Sequence, residues 1–190
     1  MTTKQRGPED TKLASNFTVR DYERAREVRD RRKIADAIRR RFLERYLDPV
    51  STSTRKHGFT MMAVSCLMIE ALESFRQGWE NSRDKGKSAF CFFFDTASPF
   101  AVFSGQASNF YVHVRCGILH QAETTGGWTV RRSGPLFDPS TNTINATTFV
   151  VTLKRFLEEY CFELEAKPWD GVEWKRVRIK MNAIVRNCQA

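Results

Sequence analysis

An arginine and a histidine lie five residues apart in the stretch FYVHVRCGILHQAE, which runs from Phe110 to Glu123. The rest of the stretch is largely apolar and long enough for a helix, where an unpaired charge and an imidazole are unusual. A guanidinium stays protonated and gives planar, bidentate hydrogen bonds to a phosphate. An imidazole titrates near neutral pH and can move a proton to or from a hydroxyl. Arg115 and His120 therefore have the chemistry that phosphodiester cleavage needs.

Helix geometry predicts how these two side chains are placed. Five residues at about 100° each put Arg115 and His120 about 140° apart around an ideal α-helix, so they flank a groove more readily than they touch. A two-fold dimer supplies a second copy of each group, and groups from both chains can then line one composite site. The spacing is therefore compatible with a site shared by two protomers.

Four further side chains are candidates for supporting this site, and Cys116, directly after Arg115, is one of them. Glu123 lies three residues after His120 and can reach it on the same helix face to orient the imidazole. Glu70 interrupts a long apolar run, and a carboxylate that deep needs a cationic partner, for which Arg115 is one candidate. Tyr111 can line the same cleft, since aromatic side chains stack on bases in RNA sites. The ordinary alternatives are packing for Tyr111 and, for Arg115, a structural ion pair with Glu70 or Glu123.

The elements that must position these residues are mainly helical. The sequence predicts one long amphipathic helix from Thr18 to about Leu47, opened by a capping box of Thr18 with Asp21. Phe59 to Trp79 is apolar on all sides in its first half and predicts the central buried helix. Residues 1–17 are polar and without pattern, and they predict a mobile arm before a domain that spans residues 18–190.

The second half of the chain adds two helices and a small β element. Phe90 to Ser104 is aromatic and interrupted by proline, and it can form either a strand or a helix. A short strand after Trp128 is expected to pair with Thr143-Ile144 as one arm of a hairpin. Asn145 caps a strong helix that reaches about Glu165, and an amphipathic helix follows from Val172 to Val185. The sum is an all-α fold, a bundle of four to five helices with a small β-hairpin insertion.

The net charge of +9 is concentrated towards the two ends of the chain. Thr18 to Tyr46 hold eleven Lys and Arg against six Asp and Glu, and Lys167 to Ala190 hold six against two. A basic surface attracts polyanions, RNA above all, and steers their approach. Solvated helix faces that keep the protein soluble are the alternative interpretation.

The cysteines and the hydropathy pattern point to the cytoplasm. The five cysteines are odd in number, far apart and without a CxxC pair, which argues against disulfides and zinc and for a reducing compartment. The N-terminus is polar and charged, unlike a signal peptide. No uninterrupted apolar run approaches the roughly 18 residues of a membrane span. We therefore expect a cytoplasmic protein that does not insert into a membrane.

Three stretches resemble the HEPN superfamily, a group of helical-bundle domains that includes many RNA-cleaving toxins, CRISPR-associated ribonucleases and phage-defence effectors. They are RCGILH, the helix MMAVSCLMIEALESF before it and the helix ATTFVVTLKRFLEEYCFEL after it. The resemblance covers about Phe59 to Glu165 and implies a HEPN-like domain. It also implies metal-independent RNA cleavage at a homodimer interface, without a cofactor. Arg115 would hold the scissile phosphate and His120 would be the general acid or base. Cys116 follows the arginine where many active members have a side chain that hydrogen-bonds better.

Three hypotheses about function remain at this point. The first is a HEPN-type endoribonuclease that acts as a homodimer in a defence or toxin role, with an antitoxin or another regulatory protein as a further partner. The second is a catalytically inactive HEPN-like module that binds RNA, a nucleotide or a protein, which Cys116 and the basic ends of the chain favour. The third is a helical dimerisation protein in which Arg115 forms a structural ion pair.

Overall fold

The computed structural model describes residues 7–51 and 57–189 and is mainly helical, as predicted. Its α-helices are α1 (Val19–Glu27), α2 (Arg31–Phe42), α3 (Asp48–Ser51), α4 (Gly58–Gln77), α5 (Gly86–Thr96), α6 (Ala107–Asn109), α7 (Gly117–Gln121), α8 (Ala146–Ala166) and α9 (Val172–Gln189). Segments of π-helix lie at Leu43–Leu47 and Phe110–Cys116, and 3-10 turns lie at Pro8–Asp10 and Ser98–Phe103. The strands are β1 (Lys12–Ala14), β2 (Phe17–Thr18), β3 (Thr129–Arg131), β4 (Phe137–Asp138) and β5 (Thr143–Asn145).

Helix α4 is the central helix, and this prediction is confirmed. It packs against α5, α8 and α9, and its side chains Met62, Cys66, Ile69 and Leu72 are fully buried. By length and composition alone α4 also qualifies as a membrane span, with a mean hydropathy of 1.3 over its most apolar window. Because 61% of that window is buried inside the fold, α4 has the surroundings of a core helix.

An aromatic cluster anchors the segment that carries Arg115. The region from Phe90 to Ser104, for which the sequence left strand or helix open, is α5 followed by a 3-10 turn. Phe110, the first residue of the second π segment, is fully buried. Its ring centroid lies 5.0 Å from that of Phe94 and 5.6 Å from that of Phe103. This packing ties the start of the π segment to the core.

The predicted single helix from Thr18 to Leu47 is wrong, because the chain forms two helices there. The capping box is present: Thr18 Oγ1 accepts from the Asp21 amide, and the Asp21 carboxylate accepts from the Thr18 amide. The chain then turns at Arg29, whose φ is 56°. Asp30 Oδ1 accepts from the Lys33 amide at 2.9 Å and caps α2. An apolar stripe that continues on the next helix hides such a break from a periodicity argument.

The arm predicted for residues 1–17 lies partly outside the described residues. In the described part, β1 pairs antiparallel with β2, and Leu13 and Phe17 are buried. The Leu13 carbonyl accepts a hydrogen bond from Arg41 Nη1 on α2 at 2.8 Å. Residues 12–17 are therefore attached to the helical core by burial and by hydrogen bonding.

The β insertion differs from the predicted hairpin. Strand β3 pairs parallel with β5, and β4, which the sequence did not indicate, pairs antiparallel with β5. Phe137 on β4 is buried because its ring stacks on Trp128 at 5.1 Å and on Phe103 at 4.7 Å. The cap of α8 is as predicted: Asn145 Oδ1 accepts from the Thr147 and Thr148 amides.

Candidate functional site

Arg115 and Glu70 form a bidentate ion pair between the π segment and α4. Arg115 Nε donates to Glu70 Oε1 at 2.6 Å, and Nη2 donates to Oε2 at 3.4 Å. The two side chains are only 18% and 11% exposed, so solvent screens the pair weakly. Burial by itself would lower the pKa of Arg115, but the hydrogen bond and charge of Glu70 raise it above its ordinary value. Of the two acidic partners that the sequence suggested for Arg115, Glu70 is the one it contacts.

Tyr111 and Cys116 also contact the guanidinium group of Arg115. Its central carbon lies 5.5 Å from the centroid of the Tyr111 ring, within the range of a cation–π contact. Nη1 lies 4.0 Å from Sγ of Cys116. Tyr111 is held in turn by Gly86, where an added Cβ would come within 2.9 Å of the ring. Glu70 therefore engages Nε and Nη2, whereas Nη1 remains on the side of Cys116.

His120 lies in a surface groove that we call the His120 groove, with a volume of about 370 Å³. The imidazole is exposed to solvent. The groove is lined by Val112, Cys116, Gly117, His120, Gln121, Glu123 and Thr125. Arg115 does not line it, although its neighbour Cys116 does. Within one chain, the described residues thus bring His120, Cys116 and Glu123 together and leave Arg115 behind Cys116.

Glu123 reaches the groove by another route than the predicted helix face. Helix α7 ends at Gln121, because Ala122 has a φ of 57° in the left-handed region. The Glu123 amide then donates to the Gly117 carbonyl at 3.4 Å. An added Cβ at Gly117 would lie 2.5 Å from the Glu123 carbonyl oxygen, so glycine permits this close return of the chain. Gly117 is the sequence signal that could have indicated the turn.

The π segment also changes the expected relation of Arg115 to His120. Phe110–Cys116 is π-helical, and regular α-helix resumes only at Gly117. A π-helix has i→i+5 hydrogen bonds and occurs frequently at functional sites. The separation of about 140° assumed an ideal α-helix throughout and therefore does not hold across this boundary.

Sequence reasoning did not single out the contact that fixes the outer wall of the groove. Thr125 Oγ1 lies 3.0 Å from His113 Nδ1, and the Thr125 amide donates to the His113 carbonyl at 2.9 Å. Gly126, with a φ of 60°, lies so close to the His113 ring that a Cβ there would collide with it. The loop after α7 is therefore fixed to the π segment at Thr125.

Neither metal ligands nor known relatives assign a function to this site. In residues 7–51 and 57–189, no group of three or more His, Cys, Asp or Glu side chains is placed to hold a metal ion. Comparison of the chain with models of protein families, with curated proteins and with solved structures finds no match. The chemistry of the side chains in and beside the His120 groove is therefore the basis for inferring a function.

Proposed function

We propose that the chain is a HEPN-like, metal-independent endoribonuclease that acts as a homodimer in the cytoplasm. The observation that supports this proposal most directly is the His120 groove, which presents an exposed imidazole beside Cys116 with a fixed guanidinium behind it. Glu70 sets the orientation of Arg115 and leaves Nη1 directed towards Cys116. A role in defence or as a toxin, with an antitoxin or another regulatory protein, rests on the family resemblance alone.

The chemistry requires one base, one acid and one phosphate-binding cation. His120 of one protomer takes the proton of the 2′-hydroxyl as its oxygen attacks phosphorus, and the bond to the 5′ oxygen breaks. His120 of the partner subunit gives a proton to that leaving oxygen, so the products carry a cyclic phosphate and a 5′-hydroxyl. Arg115 Nη1 donates to a phosphate oxygen as negative charge develops. Glu123 lines the same groove and is available to orient the imidazole.

A second copy of the chain supplies the second imidazole, which one groove lacks. The chain carries a net charge of +9, so two copies repel each other unless they meet on an uncharged face. Large apolar side chains close to the motif are exposed: Leu67 by 44%, Val112 by 48% and Leu119 by 39%. Leu67 lies one helical turn before Glu70 on α4, and therefore borders the Arg115 ion pair. These positions favour dimerisation beside the motif.

The test is RNA cleavage by the purified protein in the presence of EDTA. We expect cyclic-phosphate ends, and we expect His120→Ala to lower the rate by at least about 100-fold, the usual contribution of a general acid or base. The dimer mass in light scattering and the melting temperature should not change, since His120 is exposed. His57→Gln is the matched control, because His57 is bonded to the Val50 carbonyl outside the groove. Undiminished cleavage by His120→Ala, or a monomeric protein that cleaves, would contradict the proposal.

RNA binding without cleavage is the second candidate, and the Arg115–Glu70 pair favours it. A guanidinium already held by a carboxylate at two nitrogens has less to offer a phosphate, and Cys116 is a poor hydrogen-bonding neighbour. In that case the wild-type protein binds RNA in a salt-dependent manner and produces no cyclic phosphate. His120→Ala then leaves binding unchanged. Absence of both binding and cleavage would contradict both candidates.

A further inference from the structure

The two basic segments of the sequence come together in space. Tyr22 Oη on α1 donates to Asn182 Oδ1 on α9 at 3.1 Å, and Arg26 Nη1 reaches the same oxygen at 3.3 Å. At the start of α2, Arg31 Nη1 donates to the Lys167 carbonyl at 2.7 Å. These hydrogen bonds join residues that are more than a hundred positions apart in sequence, and they bring the N-terminal basic segment against the C-terminal one.

Arg41 and Arg45, in the N-terminal basic segment, share a single hydrogen-bond acceptor. Arg41 Nη1 lies 2.8 Å and Arg45 Nη2 lies 3.4 Å from the carbonyl oxygen of Leu13. Two guanidinium groups therefore lie side by side on a neutral oxygen. Burial, followed by the charge of Arg45, lowers the pKa of Arg41 to about 10. Burial, followed by the charge of Arg41, lowers the pKa of Lys180, which supports counting its ammonium group with the two arginines.

No carboxylate of the described residues forms an ion pair with these three cations. Lys180 Nζ donates to the backbone carbonyl of Glu80 at 3.0 Å, whereas the carboxylate of Glu80 binds Arg186 at 2.9 Å. Glu44, which lies between Arg41 and Arg45 in the sequence, accepts from the Ser15 amide at 2.9 Å. Arg41 and Arg45 on one neutral acceptor repel each other, and Lys180 adds a third positive charge, so an anion placed between them would remove that repulsion.

We propose that Arg41, Arg45 and Lys180 bind a backbone phosphate of an RNA strand. The proposal rests on the proposed function only in taking RNA as the polyanion. Terminal phosphate oxygens can accept from two guanidinium groups and an ammonium at once. The three residues belong to α2, the π segment that follows it and α9, and none of them lines the His120 groove. They therefore form a second contact that positions the strand without reading its sequence.

The depth of Arg41 favours a nucleic-acid strand over a lipid surface. Arg41 is half-buried, and its guanidinium lies against the carbonyl of β1. A flexible single strand can bring one phosphate down to a recessed cation. A flat layer of lipid headgroups meets the outer ends of surface side chains first. Vesicle binding is therefore the competing outcome that the experiment must include.

The experiment measures binding of a fluorescent single-stranded RNA oligonucleotide by anisotropy over a series of salt concentrations. The test protein carries Arg41→Gln, Arg45→Gln and Lys180→Gln together. Loss of phosphate contacts should make the slope of log K against log salt shallower by about 0.7 for each phosphate no longer neutralised, and weaken binding at low salt about tenfold or more. Arg45→Gln alone, at an exposed side chain, should give a smaller change in the same direction and covers the case in which the triple variant does not fold.

A charge-matched control separates this site from general electrostatics. Arg20→Gln, Arg29→Gln and Arg155→Gln also remove three positive charges in total, but each of these arginines is exposed and paired with a carboxylate. This control should keep the wild-type slope. Equal losses in the two triple variants would overturn the inference, because net charge alone would then explain them.

Two further outcomes would also overturn it. One is wild-type RNA binding by the cluster variant together with lost binding to phosphatidylserine vesicles, which would assign the cluster to lipid. The other is absence of RNA binding by the wild-type protein. The inference and the proposed function fail separately. His120→Ala tests cleavage and should keep full RNA affinity, whereas the cluster variant tests affinity and its salt dependence.

Discussion

Arg115 and Arg41 are both largely withdrawn from solvent, and they differ in what faces them. Arg115 binds both oxygens of Glu70, and its pKa is raised. Arg41 shares a neutral carbonyl with a second arginine, and its pKa is lowered. A count of charges in the sequence treats the two residues alike. In these surroundings Arg115 is neutralised by a carboxylate that leaves only its Nη1 unbound by Glu70. Arg41 has no carboxylate partner among the described residues and can accept an anion.

The largest expected effect is that of removing the carboxylate from Arg115. Glu70→Ala leaves the guanidinium of Arg115 mostly buried and without a partner, and we expect a loss of about 3 kcal/mol in the free energy of unfolding. In a chain of this size that corresponds to a melting temperature lower by roughly 6–12 °C. Differential scanning calorimetry measures it. Glu123→Ala, at an exposed carboxylate of the same region, should stay within about 0.5 kcal/mol of the wild type. A similar loss in both variants would show that the ion pair with Glu70 is not what stabilises the region of Arg115.

An intermediate effect comes from neutralising the two arginines in turn. Arg115→Met leaves the Glu70 carboxylate without its partner and should cost about 2 kcal/mol, less than Glu70→Ala because a buried carboxylate can be neutralised by a proton whereas a guanidinium cannot. Arg41→Met loses a hydrogen bond but also relieves repulsion from Arg45 and Lys180, so its cost should stay within about 1 kcal/mol. Urea denaturation with matched m-values gives both numbers. A larger loss for Arg41→Met than for Arg115→Met would reverse the comparison.

The smallest expected effect concerns a second acid on α4 that also has an arginine partner. Glu73 is fully buried and binds Arg76 and Gln77, yet burial outweighs these partners and raises its pKa above the ordinary value. An acid with a raised pKa in the fold contributes stability that is complete below the pKa of the unfolded chain. This contribution is lost as the pH rises through the pKa of the folded state.

Glu73→Gln should therefore remove a pH dependence that the wild-type protein has. Measured as melting temperature from pH 3.5 to pH 8, the wild type should lose stability relative to Glu73→Gln as the pH rises above about 4.3, the ordinary pKa of a glutamate. A constant difference between the two proteins across that range would show that Arg76 compensates the Glu73 charge fully.

Much of the fold could be predicted from local signals in the sequence. The capping residues Thr18, Asp21 and Asn145 and the all-apolar first half of α4 act within a few residues, and the corresponding elements are present. Glu70 could be matched with Arg115 because a buried carboxylate needs a cation. The homodimer, the RNA and the catalytic roles of Arg115 and His120 stay predictions.

The features that were missed depend on contacts between distant residues or on unusual backbone. The break at Arg29 uses a positive φ in a residue other than glycine, which has no strong sequence signature. The pairing of β4 with β5 comes with Phe137 packed against Trp128 and Phe103, which lie well before it in the sequence. The hydrogen bond from Tyr22 on α1 to Asn182 on α9 joins residues that are far apart in sequence and is invisible to any local pattern.

The π-helical backbone of Phe110–Cys116 has a consequence for how such motifs are compared between proteins. A turn closed by an i→i+5 bond holds one residue more than an α-helical turn. Winding the same residues as an ordinary α-helix, without any deletion, would advance the chain further around the axis, and every later side chain would swing by about 100° for the one residue in excess. Arg115 and His120 would then both leave their present azimuths relative to the buried Phe110. Two chains with the same Arg-x4-His spacing can therefore present different surfaces, and backbone type belongs in the comparison beside the letters.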